Sequence, residues 1–105
     1  MIVQIHTDPN IESTQRLTEG VEASVTSAVG RFEDRVTRVQ VHLEDTNSSQ
    51  KQGSGDKRCM MEARLNGRAP VAVTHFAPTV EQAVNGAADK LERTVGRVFD
   101  RMEDV

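Results

Sequence analysis

Asn66-Gly67 stands between two stretches in which apolar and polar residues alternate. In KRCMMEARL (57–65), Cys59, Met61, Ala63 and Leu65 share one face of an extended chain, and Arg58, Met60, Glu62 and Arg64 share the other. Asn-Gly readily takes the positive φ angles of a tight hairpin turn, so PVAVTHF (70–76) is expected to return as an antiparallel strand. Pro70 suits the end of such a strand, because it has no N–H to give a ladder. Upstream, VTRVQVHLED (36–45) alternates as well, with Val39, Val41 and Leu43 opposite Gln40, His42 and Glu44. TNSSQKQGSGD (46–56) has no apolar residue and is expected to be a mobile loop joining two strands. Three consecutive strands of this kind form a meander with one face buried and one face wet.

The buried face needs a cover. From about Ser13 to Arg35, Leu17, Val21, Val25, Ala28 and Phe32 recur at helical steps. Gly20 and Gly30 each weaken that helix by up to ~1 kcal/mol relative to Ala, so packing must hold it. After Pro78, Thr79 and Gln82 have the spacing of a capping box. A second helix is expected from there to about Met102, with Val80, Val84, Ala87, Leu91, Val95, Val98 and Met102 as its apolar stripe. IVQIH (2–6) reads as a first strand and TDPN as a turn. The first two strands are joined through a helix, so a parallel pair with a right-handed crossover is open to them. The order is β-α-β-β-β-α. It implies an α+β two-layer sandwich, a four-stranded sheet with both helices on one face.

At 105 residues the chain fits one domain with a modest core, and 1–105 is expected to form a single domain. One cysteine, Cys59, permits no internal disulfide and fits a reducing compartment. MIVQIHTDPN lacks the pattern of a signal peptide, and no apolar stretch approaches the ~20 residues of a membrane span, so the cytoplasm is the expected location.

The formal net charge is -3 and the pI about 5.6, which argues against indiscriminate nucleic-acid binding but allows a local basic patch. ADKLERTVGRVFDR (88–101) carries such a candidate. With Lys90 at the origin of a helical wheel, Arg93, Arg97 and Arg101 fall at roughly 300°, 340° and 20°, whereas the acids fall at roughly 180–280°. Internal pairs of the kind Asp89–Arg93 and Arg97–Asp100 would make this an ordinary solvated face. Lys57, Arg58, Arg64 and Arg68 flank the Asn-Gly hairpin, and Arg31, Arg35 and Arg38 surround the end of the first helix. Merged, they could bind phosphate, which Arg engages bidentately. Base stacking is not expected from a chain with three Phe and neither Tyr nor Trp.

Catalytic signals are missing. His6, His42, His75 and Cys59 lie on different segments without metal-ligand spacing. GSG (53–55) lacks the lysine and helix of a phosphate loop, and no nucleophile motif is visible. Cys59 reads as a small core residue, and His75 as a packed or rim histidine. Neither an enzyme, nor a cofactor, nor a small-molecule substrate is expected.

VTRVQVHLED followed by KRCMMEARLNGRAPVAVTHFAPTVEQAVNGAADKLER resembles the ribosome hibernation factors, also called the ribosome-associated inhibitor or sigma-54 modulation family. The strand ending Leu-Glu-Asp, the Asn-Gly hairpin and above all DKLER carry the likeness. The resemblance implies a β-α-β-β-β-α fold similar to double-stranded-RNA-binding domains, which read shape and backbone. It implies a partner, the small ribosomal subunit in the channel of mRNA and tRNA, and a role in blocking translation and preserving idle ribosomes under stress. It points to Lys90 and Arg93 first, with Arg97 and Arg101 extending the stripe, and more weakly to Arg64 and Arg68. A second, ribosome-dimerising domain of the long members is not expected here. The acidic balance keeps an alternative open: a protein-interaction or regulatory module of the same fold with weak or no RNA binding.

Overall fold

The computed structural model describes residues 1–46 and 57–103, with side chains as far as Asp100. Strand β1 (Ile2–Thr7) is followed by helix α1 (Gln15–Val29) and a 3-10 turn (Gly30–Phe32). Strands β2 (Val36–Asp45), β3 (Lys57–Leu65) and β4 (Val71–Ala77) come next, and helix α2 (Val80–Glu103) closes the order. The expected 46–56 loop lies, apart from Thr46, outside the described residues.

The sheet runs β1-β2-β3-β4. β1 is parallel to β2, and the other two pairs are antiparallel. Alternation sorts β2 and β3 as their sequences require. Val39, Val41, Leu43, Cys59, Met61, Ala63 and Leu65 are buried under the helices, in one cluster with Val84, Ala87, Leu91 and Val95. The opposite face is half-open: Gln40 donates to Gln4 at 3.3 Å, and the rings of His6 and His42 stack at 4.6 Å. Burial drives the Cys59 thiol pKa up to about 12, with nearby Arg58 opposing the shift, so Cys59 is an inert core residue.

Both helix starts are capped by threonine. Thr14 accepts from the Leu17 N–H at 3.0 Å, and Thr79 accepts from the Gln82 N–H at 3.1 Å. The Thr79 hydroxyl also donates to the Gln82 side chain at 3.2 Å. Among the described residues no helix is long and apolar enough to cross a membrane.

Three expectations change. α1 stops at Val29, not near Arg35, because Val29 leaves helical geometry with φ -125° and ψ 9°. The 3-10 turn that follows still buries Phe32, so the apolar rhythm outlasts the helix. In α2 the buried aromatic is Phe99, with Val98 only half-buried, because Phe99 meets Phe32 with ring centroids 5.5 Å apart. The Asn-Gly connection is longer than a two-residue turn. Gly67 takes φ +74°, Arg68 N–H bonds Leu65 C=O at 3.4 Å, and β4 starts only at Val71, past the donorless Pro70. Ile11, between β1 and α1, is also buried, although periodicity assigned it no place.

Gly86 marks the contact between α2 and β4. A Cβ there would sit 2.0 Å from Cδ2, 2.3 Å from Nε2 and 2.6 Å from Cγ of His75. The imidazole ring therefore lies flat on bare backbone. Gly86→Ala gains ~1 kcal/mol of helix propensity, but overpacking against a whole ring costs about 1–3 kcal/mol. The expected result is a lower urea midpoint for Gly86→Ala, recovered when His75→Ala is added. Equal losses in the single and double variants would place the cost elsewhere.

Candidate nucleic-acid interface

The arginines gather around the turn between α1 and β2. Asn66 N–H bonds the Arg35 carbonyl at 2.7 Å and fastens the β3–β4 hairpin to this turn. Arg68 is exposed within the hairpin connection. Arg38 pairs with Arg64 across β2 and β3 on the open face, beside an irregularity in register between Val36 and Arg38. Thr37, at that irregularity, donates its hydroxyl to the Arg64 carbonyl at 3.2 Å. Such bulges re-aim side chains at sheet ends.

The far half of α2 reaches the same turn. The Arg31 guanidinium lies 4.0 Å above the Phe32 ring, and that of Arg35 lies 5.0 Å from the Phe99 ring. Arg31, Arg93 and Arg97 line one groove of about 310 Å³ together with Glu92, Gly96 and Asp100. Both Arg93 and Arg97 are exposed. The internal pairs Asp89–Arg93 and Arg97–Asp100 of an ordinary solvated face are not formed: among the described residues, no ion pair involves Arg31, Arg93 or Arg97. Acids are nevertheless close, with Glu33 and Asp34 exposed on the same turn.

The other candidates go elsewhere. Lys57 and Arg58 stand at the opposite end of β3, roughly 26 Å from Leu65 by strand rise. Lys57 is paired with Asp45 at 3.4 Å, and Arg58 with Glu44. Lys90 is half-buried, and its Nζ donates to the Thr74 carbonyl on β4 at 2.8 Å. Arg101 lies in α2, but its side chain falls outside the described residues. Of the eight candidates, then, Arg64, Arg68, Arg93 and Arg97 are brought to the arginine-rich end. Arg31, grouped in the sequence with Arg35 and Arg38 around the end of the first helix, joins them. Gly96 is a helix-weakening residue in the middle of a strong helix pattern, and on the wheel it falls among the acids, not with the bases.

No base-stacking platform accompanies these cations. Phe32 and Phe99 are buried, and Phe76, 51% exposed, lies on β4 opposite Arg58. The surface can engage phosphates and sugars, and a helical RNA is read mostly through these.

The fold is a two-layer β-α-β-β-β-α sandwich with arginines gathered at one end. The chain matches the family model described as sigma 54 modulation protein / S30EA ribosomal protein over residues 3–103, and it belongs to that family of non-enzymatic, ribosome-associated, hibernation-type proteins. Its fold is similar to that of the Thermus thermophilus Protein Y N-terminal domain, with TM-score 0.75 and 22% identity over 93% of this chain and 99% of that one. It is also similar to a ribosomal subunit interface protein from Coxiella burnetii, with TM-score 0.74 and 14% identity over 95% of this chain and 99% of that one. No curated protein matches at the sequence level.

Proposed function

We propose that the chain is a cytoplasmic translation inhibitor that binds the small ribosomal subunit in the channel used by mRNA and tRNA, and so preserves idle ribosomes under stress. The observation that carries this reading is the groove in which Arg31, Arg93 and Arg97 stand without carboxylate partners among the described residues, in a member of a ribosome-associated family. Arginines without ion pairs among the described residues, at one end of an otherwise acidic chain, give it a polar charge distribution, which orients it towards a polyanion. The absence of exposed aromatic platforms near them fits recognition of backbone and shape.

Co-sedimentation with ribosomes and isolated subunits from stationary-phase cells, across a salt series, tests it. The protein is expected to travel with the small subunit at low salt and to be released progressively, since each phosphate contact releases counterions. Protein that stays at the top of the gradient at the lowest salt would instead favour the interaction-module reading, which the nearby Glu33, Asp34, Glu92 and Asp100 support.

A further inference from the structure

Gly96 is buried in the middle of α2, with the Arg31 guanidinium close over its backbone. A Cβ at this position would lie 3.2 Å from Nη2 of Arg31, 4.0 Å from Cζ of Phe32 and 4.0 Å from Oδ2 of Asp100. The Arg31 guanidinium thus lies against the α2 backbone at Gly96, where a Cβ would press on Nη2 and a longer side chain would push the guanidinium aside. Beneath it the Phe32 ring, 4.0 Å away, fixes its tilt, and Phe32 is itself held by Phe99. Arg93, three residues before Gly96, and Arg97, one residue after it, line the same groove.

We propose that Arg31, Arg93 and Arg97 form one clamp for an RNA phosphodiester, and that Gly96 is a positioning residue that admits Arg31 to it. This rests on reading the chain as an RNA-binding ribosomal factor. Three guanidiniums against the two carboxylates of Glu92 and Asp100 leave the groove net positive. None of the three is ion-paired among the described residues, so their fork-shaped donors are free for phosphate oxygens. Resting Arg31 on a ring and on backbone also restricts a side chain that would otherwise lose much rotamer freedom on binding.

The test measures affinity for purified small ribosomal subunits at fixed low salt, together with the salt slope and a thermal melt of each variant. Arg31→Ala is expected to weaken binding about 10-fold and to lower the salt slope by roughly 0.7–0.9, the loss of one phosphate contact. Gly96→Leu keeps every arginine and the same net charge. It is nevertheless expected to weaken binding by a similar factor, and the Arg31→Ala/Gly96→Leu double variant to bind no worse than Arg31→Ala. Gly96→Ala should show a smaller loss in the same direction while melting no lower than the parent, and it carries the test if Gly96→Leu does not fold. If Arg31→Ala and Gly96→Ala bind like the parent while Arg93→Ala and Arg97→Ala bind weakly, the clamp is wrong and the ribosomal reading survives. If the parent itself does not bind small subunits, both fall.

Discussion

Arg93→Glu/Arg97→Glu is expected to lower affinity for the small ribosomal subunit by roughly 100-fold or more, because charge-assisted contacts are worth about 1.5–3 kcal/mol each. Both side chains are exposed and neither is ion-paired among the described residues, so the fold has nothing to lose. Surface substitutions of this kind change stability by about 0.5 kcal/mol or less. The control is Lys57→Glu/Arg58→Glu, which makes the same change in formal charge at the other end of β3. Those two cations already face Asp45 and Glu44. Their reversal sets carboxylate against carboxylate at two half-buried pairs, so it should lower stability but leave subunit binding by the folded protein nearly intact. Equal losses from the two double variants, read by quantitative co-sedimentation, would mean that overall charge and not the arginine-rich end determines binding.

Phe99→Ala is expected to have the largest effect on stability. Its ring is 2% exposed, meets Phe32 and lies under the Arg35 guanidinium. Removing a buried Phe side chain costs about 3–5 kcal/mol. For a chain of this size that is a fall in thermal midpoint of roughly 15–30 °C. The neighbouring Val98 is only half-buried, so Val98→Ala should cost about 1.5 kcal/mol or less. Thermal or urea unfolding of the two variants separates them. A larger loss for Val98→Ala would mean that the apolar stripe of α2 passes through Val98. Because Phe99 supports the Phe32 ring on which Arg31 rests, Phe99→Ala should also weaken subunit binding under conditions where the variant is folded.

The strands were legible because a period of two is unforgiving. A slip of one residue in β2 or β3 would turn Val41 or Met61 to water, and both strands appear at the bounds their alternation implies. Helical periodicity gives less. In α1 it carried the apolar rhythm from Ala28 to Phe32 without registering that the backbone tightens at Gly30. In α2, steps of three and four from Val95 reach Val98 and Phe99 alike, and only the position of Phe32 decides which one is buried. Within the site, the wheel separated bases from acids on α2 but could not bring in Arg31, which arrives from a segment more than sixty residues away in sequence. Nor could it show that Lys57 and Arg58 are occupied by acids from β2. Gly96 was conspicuous as a cost to the helix and became intelligible only when its neighbour was known.

Lys90 bears on the edge of the sheet. β4 is an edge strand, and its Thr74 carbonyl receives the Lys90 ammonium. An edge with open backbone groups invites another chain to extend the sheet, and charged side chains, lysine above all, are a common guard against this. A second molecule pairing along β4 would have to displace that ammonium and strand its charge in a new seam. Lys90, held at the Thr74 carbonyl and away from the arginine groove, thus stands where a lysine discourages a second molecule from extending the sheet.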